Sequence, residues 1–266
     1  MKVVIQIGMG RMGEGIASSL VIIPQLSVSF WDNASKPVMD MFDEIKPDLV
    51  FVNSDMLKQE DIKIASQRYQ STPIISIGDI VDNITNPILS INNNNKKSGI
   101  PNIPFEGGVM LGKIGRPQYE DRLSCDILCL TDHLNKDEGK TNILQFVSSS
   151  YNAKIFGRTN FAIPSYLGII SDQQRANAIQ SAKILLDLDG ETQYDAMWLG
   201  KHVVNSFSSI LDLKRSIDEA LGKGENTLGK IKVKNKTYFD LCSQLLSFLG
   251  LPQQAKFLDD KKGEVL

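Results

Sequence analysis

Tyr166 to Asn205 reads YLGIISDQQRANAIQSAKILLDLDGETQYDAMWLGKHVVN. A short strand is expected over Tyr166–Ile170, running into Ser171 and Asp172, both natural helix N-caps. Ala176, Ile179, Ala182 and Lys183 then fall at helical spacing, and Ile184-Leu185-Leu186 reads as a buried strand. An acidic, glycine-containing turn comes next, Asp187-Leu188-Asp189-Gly190-Glu191-Thr192. A second short helix carries Tyr194, Asp195, Met197 and Trp198 and closes at Gly200. Val203-Val204 is the next strand. Strand, helix, strand, turn, helix, strand is half of a parallel α/β sheet, and such sheets bind ligands at the carboxyl ends of their strands.

The phrase running from Tyr194 through Asp195, Ala196, Met197, Trp198, Leu199, Gly200, Lys201 and His202 to Val203-Val204 resembles the donor-binding half of glycosyltransferases of the GT-B fold. In that family an acid in the helix after such a turn holds the donor's ribose, ahead of a small-residue turn and a strand ending in Val-Val or Val-Ile. The resemblance implies that Asp195, where the family usually has Glu, contacts the ribose. Asp187 stands at the place of a second acid eight residues earlier, with Glu191 and Thr192 beside it.

Working outward, 266 residues with 42% hydrophobic content suffice for one large core or two modest ones. A formal charge of −2 argues against wholesale electrostatic binding to a nucleic acid backbone. Cys125, Cys129 and Cys242 have no paired spacing and read as reduced core residues, which points to a cytoplasmic setting. The start, Met1 to Gly8, reads as a strand entering a glycine and not as a signal peptide, and no membrane span is expected.

Residues 3–7 read as a buried strand, after which Gly8-Met9-Gly10-Arg11-Met12-Gly13 opens a helix to about Leu20. Leu26 to Trp31 is a second strand, ending at Asp32. Taken alone, this satisfies the dinucleotide fingerprint, G-x-G-x-x-G between strand and helix with an acid about twenty residues on. A NAD(P)-dependent oxidoreductase is therefore one reading. The other is that the glycines only let the backbone pass a tight strand-to-helix turn.

The next strands are Leu49 to Ser54 and Ile74 to Ile77, separated by an amphipathic helix over roughly Lys58 to Tyr69. Ile45-Lys46-Pro47-Asp48 before a strand, Val52-Asn53-Ser54 after it, and Gly78-Asp79-Ile80 after the next are similar to the acceptor-binding half of GT-B enzymes. They look particularly like the DNA glucosyltransferases of tailed phages. That resemblance implies Asp79 as the general base, because a hydroxyl is a poor nucleophile until its proton is taken. It also places Gly8, Gly10 and Arg11 on the acceptor side. The plainer reading is that Asp79 caps the following turn.

Residues 83–124, rich in Asn, Gly and Pro, read as a long loop with at most one short strand pair, containing the interdomain linker, with the boundary near Tyr119. Cys125 to Leu130 opens the second domain as a strand, Thr141 to Ser149 is a helix and Ala153 to Phe156 the next strand. The resemblance puts the donor's diphosphate in the loop between the first of these strands and the helix. There Lys136 and Lys140 stand where the phage enzymes use arginines, and His133 in the same loop could polarise a leaving phosphate, with Arg158 approaching and Ile169 and Ile170 flanking the nucleobase. Asp187-Leu188-Asp189 has the D-x-D form of metal sites in the other glycosyltransferase fold, but no required metal is expected. His202 reads as structural, and Lys230 to Lys236 as a strand-like edge or exposed loop. Thr237 to Leu249 is an amphipathic helix, and Asp259 to Leu266 a frayed tail.

The expectation is an α/β chain of two Rossmann-like domains in the GT-B architecture, an acceptor domain over 1–119 and a nucleotide-sugar domain over 120–266. The reaction expected is metal-independent transfer from a nucleotide sugar, UDP-linked first, to a hydroxyl, with a hydroxymethylated DNA base as the leading specific acceptor. Oxidoreductase and catalytically inactive binding protein are the alternatives, and an acidic pI near 5.8 weighs against DNA.

Overall fold

Val3, Val4 and Ile5 are buried without exception, as a strand covered on both faces of a parallel sheet requires. They belong to β1 (Lys2–Gln6). The computed structural model describes residues 1–53, 56–77, 88–91, 102–105, 107–114, 116–132, 134, 137–190 and 192–265. After β1 come α1 (Gly10–Leu20), β2 (Ser27–Trp31), α2 (Val38–Ile45), β3 (Leu49–Asn53), α3 (Gln59–Arg68) and β4 (Ile74–Ile77), then β5 (Ile88–Ile91) and β6 (Asn102–Ile103). These strands form one sheet in the order β2-β1-β3-β4-β5-β6, parallel at every pairing. Val4, Val50 and Val52 pack on Val38, Met41 and Phe42 of α2 and on Ile62 and Ala65 of α3.

The second sheet comes after a short α4 (Leu111–Ile114) and a 3-10 turn at Asp121–Leu123. It comprises β7 (Cys125–Leu130), α5 (Glu138–Ser150), β8 (Ala153–Phe156), α6 (Asp172–Ser181), β9 (Ala182–Leu186), α7 (Gln193–Trp198) and β10 (His202–Val204), then α8 (Ile210–Leu221) and α9 (Thr227–Val233). The order is β10-β9-β7-β8, again all parallel. Side chains alternate across it: Ile127 and Cys129 face one core with Leu144, Val147 and Leu213, while Leu128 and Leu130 face another with Ala178, Ile179 and Ala196. Each fully buried Leu or Ile contributes about 1.5–3 kcal/mol. α10 (Tyr238–Phe248) and α11 (Pro252–Val265) end the described chain.

The chain divides into two compact units, Met1–Gly107 with Tyr238–Glu264, and Gly108–Thr237. The first unit thus ends twelve residues before the expected boundary at Tyr119 and takes back the last two helices. The reason lies in α10, which buries Tyr238, Phe239, Leu241, Cys242, Leu245 and Leu246. Its Tyr238 ring lies against Gly15 of α1, so close that a Cβ there would sit 2.4 Å from the ring. An amphipathic stripe shows that a helix packs, not on which sheet.

Other expectations need local correction. Tyr166–Ile170 is no strand: only Tyr166 bridges, to Ile155, and Gly168 turns away at φ +90°. β9 begins at Ala182 directly after Ser181, so Ala182 and Lys183 are strand residues. Lys230–Val233 is helix, nucleated by the Asn226 side chain accepting from the Gly229 N–H at 2.8 Å. α11 continues through the charged tail to Val265, held by Lys262 against Asp240 at 2.6 Å. No described helix is long and apolar enough to cross a membrane.

Candidate functional site

Numbered by position within each unit, both sheets begin with the same order, 2-1-3-4: β2-β1-β3-β4 and β8-β7-β9-β10. In an open sheet the crossovers part company where the order reverses, here between the first and third strands, and ligands sit beyond the carboxyl ends at that point. The dinucleotide order 3-2-1-4-5-6 differs, since there the glycine-rich strand neighbours the second and fourth. In the second unit the switch point is formed by the residues directly after β7 and β9, Thr131-Asp132 and Asp187.

Three features hold that edge. Thr131 is fully buried and its Oγ1 donates to the carbonyls of Phe156 at 3.2 Å and Thr159 at 3.3 Å, tying the end of β7 to the turn after β8. Gly157 makes the approach possible: it sits at φ +145°, and a Cβ there would lie 2.5 Å from Thr131 Oγ1 and 2.8 Å from the Asp132 nitrogen. Asp132 then pairs with Arg175 at 2.6 Å, with side chains only 18% and 16% exposed. Arg175 is aimed there by the start of α6, where Ser171 and Gln174 form a capping box. Its Nε is buried without a hydrogen-bond partner among the described residues.

At the end of β9, Asp187 is 2% exposed and accepts from the backbone N–H of Gln193 at 2.8 Å, the N–H of Gly190 and the Thr192 hydroxyl. It therefore caps the first turn of α7 from five residues before the N-cap position. Burial, reinforced by a hydrogen bond and charge from Asp189, pushes its carboxyl up to about 7. Thr192 is equally buried and serves the same turn. Asp195, on α7, is 3% exposed and accepts the Met110 N–H at 3.0 Å. The recess bounded by Met110, Lys113, Asp172, Arg175 and Asp195 measures about 10 Å³, room for about one water. Lys113 and Asp172 pair across it at 3.4 Å.

The remaining expected residues are scattered. Lys140 lies in the first turn of α5, its backbone N–H donating to Asp137 at 2.7 Å and its ammonium 3.2 Å from the same carboxylate. The Lys140 amide, with its ammonium behind it, holds Asp137 below the usual carboxylate range. Arg158 is exposed just after Gly157, and Ile170 is half-buried against the second core. Asp79, His133, Lys136 and Glu191 lie outside the described residues. In the first unit Gly8 takes positive φ (92°) ahead of α1, Gly10 takes it (55°) as the helix's first residue, and Arg11 is buried in the first turn. His202 Nε2 bonds the Gly224 carbonyl at 2.9 Å, as a structural residue would. The three cysteines are free and buried, burial pushing Cys125 up to about 11 and Cys242 to about 12. No group of potential metal ligands occurs among the described residues.

Asp132, Arg175, Lys113 and the pairing of Asp172 with Lys113 are not marked by the GT-B phrases. Arg175 carried a usable signal, since it lies one turn into a helix that opens on a Ser-x-x-Gln cap.

No family model and no curated protein matches the chain. Solved structures do. An S. aureus MnaA–UDP co-structure superposes with a TM-score of 0.60 at 11% identity, covering 94% of this chain and 97% of that one. A UDP-N-acetylglucosamine 2-epimerase gives 0.56, also at 11% identity with the same coverage. The Streptomyces glycosyltransferase SsfS6 covers 99% of this chain and 96% of its own at 11% identity, but its TM-score of 0.42 supports no argument. At such identities the likeness is one of fold, and the fold is GT-B: two Rossmann-like units, each a parallel sheet between helices.

Proposed function

We propose that this chain is an enzyme acting on a nucleotide diphosphate sugar, UDP-linked first, bound at the carboxyl edge of β7 and β9. The observation that carries the reading is the carboxyl edge of the second sheet, where Gly157 lets the ends of β7 and β8 approach beside the half-buried Asp132–Arg175 pair. The superposition on a UDP co-structure supports it. Arg175 and Arg158 are the cations for a diphosphate, with contributions proposed for Lys140 in the first turn of α5 and, by sequence position alone, for Lys136 and His133. Ile170 flanks the base. Asp195 reaches the ribose once its Met110 contact yields, Asp187 and Thr192 hold the turn that presents it, and Glu191 stays a donor-side candidate by sequence position alone.

The reaction we favour is transfer to a hydroxyl. Asp79 takes the proton as the acceptor oxygen bonds to the anomeric carbon, and the bond from that carbon to the diphosphate breaks, releasing the nucleotide. Gly8, Gly10 and Arg11 would line the acceptor side. A hydroxymethylated DNA base is the acceptor that Val52-Asn53-Ser54 and Asp79-Ile80 suggest. No metal is required in this scheme. A second reading has one specific support: superpositions scoring above 0.5 include an MnaA co-structure and a UDP-N-acetylglucosamine 2-epimerase, which favours rearrangement of the sugar nucleotide itself.

Thermal shift with UDP, GDP, UDP-N-acetylglucosamine and NAD(P) tests binding. Stabilisation by UDP compounds is expected, and stabilisation by NAD(P) alone would refute the proposal. Incubation with UDP-N-acetylglucosamine, followed by NMR, separates the reactions. UDP release that depends on a hydroxyl acceptor means transfer, whereas a new sugar nucleotide without any acceptor means rearrangement.

A further inference from the structure

The helix α9 has two apolar faces. Gly229 and Val233 point inward and are buried, while Leu228 and Ile231, three residues apart on the opposite side, are 78% and 66% exposed. At 100° per residue those two side chains sit side by side on the outer face, with Lys232 on one flank and Lys234 on the other. Both lysines are exposed, as is Lys236 just beyond. Lys230 is engaged by Glu225. Between residues 223 and 236 five lysines face a single glutamate, a local net charge of +4 in a chain of net −2.

Single exposed apolar residues are ordinary on a protein surface. A neighbouring pair framed by exposed lysines is different, because its two components call for different surroundings: a hydrocarbon-like layer for Leu228 and Ile231, and negative charge at its rim for the ammonium groups. A bilayer carrying anionic headgroups offers both at the right separation, with acyl chains just beneath the phosphates. Double-stranded DNA offers the charge but leaves Leu228 and Ile231 against water or phosphate, which gains nothing from them. The lysine side chains can also lay their stems along the apolar pair while keeping their heads at headgroup level.

We infer that the outer face of α9 is a peripheral docking surface for anionic lipid bilayers, with Leu228 and Ile231 entering the interface and Lys232, Lys234 and Lys236 contacting headgroups. This contact is independent of the nucleotide-sugar reading and uses none of its residues.

The experiment is co-sedimentation of the full chain with vesicles of phosphatidylcholine alone and of phosphatidylcholine mixed with phosphatidylglycerol. Binding is expected only to the mixed vesicles and should fall with added salt. Lys232→Glu with Lys234→Glu should weaken it by about tenfold or more. Leu228→Ser with Ile231→Ser should weaken it comparably. Neither pair should lower the melting temperature, because all four side chains face solvent. Absence of binding to phosphatidylglycerol vesicles at low salt overturns the inference, as does equal binding to phosphatidylcholine. Binding that the charge variants abolish, that the Leu228/Ile231 variant keeps, and that duplex DNA competes away would identify a general polyanion surface and overturn the lipid assignment.

Discussion

Gly157→Ala is the sharpest perturbation of the candidate site. Two costs apply. The backbone sits at φ +145°, where an L side chain costs about 1–3 kcal/mol. The new methyl would lie 2.6 Å from the Thr131 carbonyl carbon and 2.8 Å from the Asp132 nitrogen, both backbone atoms within the sheet edge, so relief requires moving a strand end. Overpacking of this kind costs about 1–3 kcal/mol. Together they predict a loss of about 2–6 kcal/mol, which for a chain of this size is a fall of about 5–20 °C in melting temperature. Gly168→Ala supplies the control, since Gly168 has φ +90° with no described atom within 4 Å of an added Cβ and so feels only the backbone cost. Differential scanning calorimetry of the two variants isolates the crowding contribution as their difference. UDP thermal shifts should follow the same ranking, because only Gly157→Ala displaces Asp132 from Arg175. If Gly157→Ala is no less stable than Gly168→Ala, the strand ends are not in the close contact on which the site rests.

Two further substitutions test neighbouring statements. Asp187 has a folded-state pKa raised to about 7, so its contribution is fully present below about pH 4 and is lost as pH rises through 7. Asp187→Asn should therefore flatten the stability profile, removing about 2–3 kcal/mol of wild-type decline between pH 5 and 7; chemical denaturation at the two pH values measures it, and a parallel profile for both proteins would contradict the shift. Gly15→Ala gains about 1 kcal/mol of helix propensity but drives a methyl to 2.4 Å from the buried Tyr238 ring, so a net loss of about 1–2 kcal/mol is expected by urea unfolding. Tyr238→Leu in the same chain should make Gly15→Ala less harmful, and strict additivity of the two changes would deny the contact.

How much the sequence discloses here depends on how local each determinant is. β1, β3, β7 and β9 are legible because a strand buried on both faces must be a continuous apolar run, and Val3–Ile5, Leu49–Val52, Ile127–Leu130 and Ile184–Leu186 are such runs. Their parallel order comes from alternation with helices. α9 is illegible by the same logic: Ile231 and Val233 alternate with lysines like an edge strand, whereas the helix start is fixed by the Gly229 N–H donating to the Asn226 side chain, itself steadied by its amide on the Lys201 carbonyl. The unit boundary depends on Tyr238 meeting Gly15, a pairing that no periodicity contains.

Asp195 shows why motif and geometry must be read together. The GT-B phrase selects it by position, and the fold buries it and gives it the Met110 N–H, 85 residues away in sequence. The two duties compete for one carboxylate. A bound ribose must draw hydrogen bonds from an acid that already accepts a buried amide, and releasing that amide leaves it unsatisfied at about 1–3 kcal/mol. Loss of turnover in Asp195→Asn would consequently not separate ribose recognition from the holding of Met110. Arg175 has no such double role with the backbone: its charge meets Asp132 at the switch point and its Nε has no partner among the described residues. A Lys at 175 keeps the charge and loses the planar fork. Weaker UDP binding in Arg175→Lys at unchanged stability is thus the observation that would tie this edge of the sheet to a diphosphate.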